Sequence, residues 1–124
     1  MLDEVYVKLA MRTNDGRAKE RLLDKIDKVA NVDVGSVIEA GLGMAGESGE
    51  VLDMIKKWVF QEKPLDLKHL QKELGDLLWY FALMCNSFGF DWGEIKQTNI
   101  KKLEARYPNG FSTERSNNRE AGDV

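Results

Sequence analysis

Cysteine is nearly absent from this chain: Cys85 is the only one in 124 residues. A single thiol excludes an intrachain disulfide and a cysteine-built zinc cluster, and it suits a reducing, cytoplasmic location. Histidine is equally scarce. His69 alone cannot supply the Glu-x-x-His motif on two helices that di-iron bundles use, which argues against dioxygen chemistry. No apolar run is long enough to span a bilayer and no segment reads as a signal peptide, so no membrane partner is expected. An excess of basic residues is missing too. Eighteen Lys and Arg against 21 Asp and Glu give a net charge of −3, unlike the basic surface of a general nucleic-acid binder. A nucleotide substrate is still allowed, because a metal can bring the positive charge. There is no alternating strand pattern and no internal repeat. What is present is an ordinary balance, 43% hydrophobic and 31% charged, in a chain long enough for one core.

The apolar spacing predicts helices throughout. A short one covers Asp3 to Met11 and is broken by Thr13-Asn14-Asp15-Gly16. A charged one, Arg17 to Val29, sets Leu22, Leu23, Ile26 and Val29 at three-to-four spacing. Asn31 to Gly35 reads as a loop, with Ser36 as the N-cap of a long helix from Val37 to Phe60. Gln61 to Pro64 is a turn. Asp66 then caps a helix to Phe88, whose apolar stripe is Leu67, Leu70, Leu74, Leu77, Phe81, Met84 and Phe88. Gly89 stops it, and Asp91 with Glu94 opens the last helix in the manner of a capping box. That helix reaches Arg106 and ends at Pro108-Asn109-Gly110. The composition predicts an all-α antiparallel helical bundle, one domain over residues 1–111, with a disordered polar tail over 112–124.

Against that background two acid pairs stand out, Glu47-x-x-Glu50 and Glu73-x-x-Asp76. Residues three apart on a helix are about 60° apart around its axis, so each pair shares a face. Both lie in apolar sequence. Acids turned inward repel one another and are costly to desolvate, and a divalent cation between them removes both problems. Counting back from the turn at about 1.5 Å per residue, the pairs differ in height by roughly 6 Å, so they can face each other. Oxygen-only ligands select magnesium, with manganese as a substitute, over zinc or copper. Such a centre suits hydrolysis of a polyphosphate. The alternative is that these acids lie on solvated faces or pair with lysines. Gly41, Gly43, Gly46 and Gly49 fall in one helix at about 1 kcal/mol each relative to alanine, which calls for close packing or room for a ligand. Gly41-Leu-Gly-Met-Ala-Gly46 also matches the dinucleotide fingerprint, but no strand precedes it, so that reading is rejected.

The run Gly41-Leu-Gly-Met-Ala-Gly-Glu-Ser-Gly-Glu-Val-Leu-Asp53 resembles the first metal helix of the MazG-like nucleotide pyrophosphohydrolases. Lys72-Glu-Leu-Gly-Asp-Leu-Leu-Trp-Tyr80 resembles their second, and Asn99-Ile-Lys-Lys-Leu103 with Arg106-Tyr-Pro-Asn-Gly-Phe111 their closing helix and its exit. The resemblance implies an all-α pyrophosphatase fold, a homodimer or homotetramer, and magnesium-dependent cleavage of nucleoside triphosphates to monophosphate and pyrophosphate. That activity would serve nucleotide pool sanitation or control. It implies Glu47, Glu50, Glu73 and Asp76 as metal ligands, with Glu47 and Glu50 as the catalytic pair and Glu47 orienting the attacking water. Many relatives carry a further acid just before the first ligand, where this chain has Gly46.

Candidate substrate contacts surround that centre. Lys57 lies two turns after Glu50 and suits a phosphate, or is a solvated lysine beside Lys56. Tyr80, one turn after Asp76, would hold a sugar or phosphate, or line the core edge. Asn99, Lys102 and Arg106 share a stripe of the last helix, where positive charge suits the triphosphate and its leaving group. Trp58 and Trp79 read as core or subunit-interface residues ahead of base-stacking ones. Two competing functions are a helical protein-binding or regulatory module on the same scaffold, and a phosphoribosyl-ATP pyrophosphohydrolase.

Overall fold

The structure, a computed structural model, describes residues 2–124. Among the described residues the elements are α1 (Asp3–Ala10), a 3-10 turn (Met11–Thr13), α2 (Ala18–Lys28), α3 (Val34–Phe60), α4 (Leu67–Phe88), α5 (Trp92–Arg106) and α6 (Thr113–Asn117), with no strand. The all-α expectation holds. The chain divides into two compact units, Met1–Ser87 and Phe88–Val124.

In the first unit, α3 begins earlier than expected. Asp33, rather than Ser36, is its N-cap: the Asp33 carboxylate accepts from the Ser36 backbone N–H at 3.1 Å and from the Ser36 hydroxyl at 2.9 Å. A carboxylate at that position satisfies an orphan donor and also meets the positive end of the helix dipole. Asp66 caps α4 as expected, accepting from the His69 N–H at 3.0 Å. The first helix ends at Ala10 and tightens into the 3-10 turn.

Helices α3 and α4 meet in an antiparallel register that one close approach fixes. The Tyr80 ring lies directly on the backbone of Gly43, where any Cβ would overlap it. Four residues on from Gly43 is Glu47, and four back from Tyr80 is Asp76, so these acids come level. The half-buried line on α4 runs through Leu70, Glu73, Leu77, Tyr80 and Met84, and that on α3 through Val37, Met44, Glu47, Val51 and Met54. This face is rotated from the apolar stripe: Leu67 and Leu74 are exposed, and an acid lies in the seam. Among the described residues only Ala40 and Cys85 are fully buried. Leu42 is 70% exposed, Leu52 65%, Trp58 51% and Trp79 58%. The two tryptophans are therefore not core residues of this chain.

In the second unit Gly89 takes the left-handed conformation, φ 68°, that ends α4. Asp91 then caps α5 through the Glu94 N–H at 3.0 Å. The polar tail carries more order than its composition suggests. Ser112 caps α6 through the Arg115 N–H at 3.2 Å, and Asp123 forms a two-pronged ion pair with Arg106. Capping and charge pairing organise the segment without an apolar core.

Candidate metal centre

Glu47 from α3 and Glu73 and Asp76 from α4 bring one carboxylate oxygen each to within 4.8 Å of one another. Glu47 and Glu73 are half-buried in the helix seam, and Asp76 lies at its exposed edge. The Glu47 carboxyl is pushed above its ordinary value. The first cause is hydrogen bonding to the Glu73 carboxyl, which favours the neutral form of Glu47. Desolvation and repulsion from Glu73, Asp76 and Glu50 add to it. Carboxylates this close repel one another, and at Glu47 that repulsion favours the neutral form. Glu73 is also held from the other side: its Oε1 is hydrogen-bonded to His69 Nε2 at 2.8 Å, with Glu73 15% and His69 55% exposed.

Glu50 does not join the three. It is exposed and lines a neighbouring cavity of about 150 Å³ with Asp53, Lys57 and His69. A residue three positions from Glu47 is rotated about 60° from the seam, enough to leave it at the rim. The geometry is thus one acid facing two, with Glu50 beside them close enough to raise Glu47.

The expected substrate contacts fall into different settings. Lys57 pairs with Asp53 at 2.6 Å, and Lys56 takes the other oxygen of that carboxylate at 3.0 Å. These pairs lower the Asp53 pKa and raise that of Lys57. Tyr80 is half-buried, its ring against Gly43 and edge-on to Trp79 at 5.1 Å between centroids. In the second unit, Asn99 and Lys102 line an apolar groove of about 390 Å³ with Phe90 and Ile95. Arg106 is engaged by Asp123.

Two further pairings differ in how far the sequence foretells them. The His69–Glu73 bond is legible as an i, i+4 pair on one helix face, though a lone histidine near a helix start usually caps or solvates. The Asp123–Arg106 pair spans 17 positions and leaves no local signal.

The family model of the MazG nucleotide pyrophosphohydrolase domain matches residues 36–111. This chain belongs to that family. The gene 37 protein of Mycobacterium phage L5 is 33% identical over 85 aligned residues, covering 63% of this chain and 72% of the phage protein. No solved structure matches significantly.

Proposed function

We propose that the protein is a magnesium-dependent nucleoside triphosphate pyrophosphohydrolase that cleaves between the α and β phosphates. The observation that carries the reading is the convergence of Glu47, Glu73 and Asp76 across the α3–α4 seam. The donor set fits a hard cation: every contributed atom is a carboxylate oxygen, and the crowding that raises Glu47 is the repulsion a cation relieves. Glu50, at the rim, is the fourth ligand. Magnesium bound there would neutralise these acids and the charge on the substrate phosphates. Glu47, which faces both acids of α4, is the group proposed to orient the attacking water. His69 holds the Glu73 carboxylate in one orientation. Lys57, Tyr80, Asn99, Lys102 and Arg106 are the proposed substrate contacts.

The functional domain is proposed to be residues 1–111, since the matched family segment crosses the boundary between the two units. No helix among the described residues is long and apolar enough to cross a membrane, and a cytoplasmic location is proposed with the activity. A homo-oligomer is supported by the exposed Leu42, Leu52, Trp58 and Trp79. Monomers rarely leave so many large apolar side chains on one helical hairpin.

The test is turnover of a panel of canonical and damaged triphosphates and of phosphoribosyl-ATP, separating pyrophosphate from orthophosphate. Equal amounts of monophosphate and pyrophosphate, lost in Glu47→Gln, are expected. Magnesium should also raise the melting temperature; a ligand at 100 times its dissociation constant stabilises by about 2.7 kcal/mol, and Glu47→Gln should shrink that shift. Orthophosphate as the product would refute α–β cleavage. Absence of both turnover and a magnesium response would favour the protein-binding module, and phosphoribosyl-ATP as the sole substrate would move the chain to that activity.

A further inference from the structure

The unit Phe88–Val124 contains a cavity of about 380 Å³ between the end of α5 and the 112–124 segment. Four cationic side chains line it: Lys102 and Arg106 from α5, and Arg115 and Arg119 from the segment that follows. The acids in its wall are Asp123 and Glu120. Glu120 is 83% exposed and stands 4.0 Å from Arg115. Asp123 is different. Its carboxylate accepts from Arg106 Nε at 2.8 Å and from Nη2 at 2.6 Å, and both side chains are largely shielded, 10% exposed for Arg106 and 17% for Asp123. Arg106 is the main cause that lowers the Asp123 pKa, with Arg119 and Lys102 contributing at longer range. Arg106 therefore holds Asp123 directly, and Lys102, Arg115 and Arg119 line the same cavity.

A planar guanidinium offers the same two-pronged geometry to a carboxylate and to a phosphate. We propose that this cavity is an oligophosphate-binding pocket, built from Lys102, Arg106, Arg115 and Arg119, in which the Asp123 carboxylate is a built-in occupant that the anion displaces. That the anion is the triphosphate tail or the pyrophosphate product rests on the pyrophosphohydrolase reading; the existence of the pocket does not. An internal occupant reduces apparent affinity by the fraction of time the pocket is open, so removing it should tighten binding without adding any contact.

The experiment is calorimetric titration of inorganic pyrophosphate into the full chain in EDTA, where the acid cluster can only repel the probe. Asp123→Asn should bind pyrophosphate about tenfold more tightly than the parent, the scale expected when a charge-assisted hydrogen bond no longer competes. Arg119→Gln and Arg115→Gln, both at exposed positions, should each weaken binding several-fold, and added salt should weaken it in every variant. Unchanged or weaker affinity in Asp123→Asn, with faster proteolysis of the 112–124 segment, would make the pair a structural brace and overturn the proposal. Should Asp123→Asn fail to fold, Arg119→Gln decides alone, and an affinity equal to the parent's overturns the pocket. Pyrophosphate binding that follows this pattern without any nucleotide turnover would leave the pocket standing and remove the enzymatic reading. Turnover with no pyrophosphate binding in any variant would do the reverse.

Discussion

Replacing Gly43 by alanine sets two opposed effects against each other. Alanine favours a helix over glycine by up to about 1 kcal/mol. At Gly43, however, the added methyl would overlap Cγ, Cδ1 and Cε1 of Tyr80. Because Cγ is the first ring atom, turning the ring about its own axis cannot clear the clash. The side chain must leave its rotamer or the two helices must separate, and overpacking of this kind costs about 1–3 kcal/mol. The net expectation is a loss of up to about 2 kcal/mol. At Gly41 and Gly75 an added methyl would meet no neighbouring atom within 4 Å, so the same exchange there should stabilise by up to about 1 kcal/mol. Urea denaturation in EDTA should therefore rank Gly43→Ala below the parent and the other two above it. Thermal melts should separate the two classes by roughly 4–12 °C, taking about 4 °C per kcal/mol for a chain of this size. Adding Tyr80→Ala to Gly43→Ala should recover part of the loss, giving a favourable coupling energy in the double-mutant cycle. If Gly43→Ala proves as stable as Gly41→Ala, or if its cost persists without the Tyr80 ring, the close approach that sets the helix register is wrong.

Two further expectations concern charge and assembly. Glu47 has a raised pKa when folded, so in EDTA the native state holds a proton more tightly than the unfolded chain above the ordinary value of 4.5. Stability should then rise as pH falls from neutral through that window and level off below it, and Glu47→Gln should flatten the slope. A metal-free stability that falls over that range, with no difference between parent and variant, would refute the crowding. Sedimentation equilibrium should show an oligomer that Leu52→Lys dissociates, with little change in the fold because Leu52 is 65% exposed. A monomeric parent would remove the need for a covering copy.

The helix order was legible in the sequence because three-to-four apolar spacing, Asp66 and Asp91 at cap positions and Gly89 at a stop are local signals, each acting within a turn or two of chain. The acid pairs were legible for the same reason: a three-residue spacing fixes which side chains share a face whatever they pack against. The residue patterns of the two motifs also pointed to the family. Local spacing does not say how far one helix is rotated against another. That rotation decided that Glu73 enters the seam while Leu74 stays outside, and that Glu47 faces two acids while Glu50 remains at the rim. The register came from the contact of Tyr80 with Gly43, a pair far apart in the chain. Composition could not foresee order in the polar segment after Ser112, since charge pairing with Arg106 depends on a fold that returns Asp123 to α5. Local chemistry belongs to the sequence, and the meeting of distant charges belongs to the tertiary structure, because only packing brings them within reach.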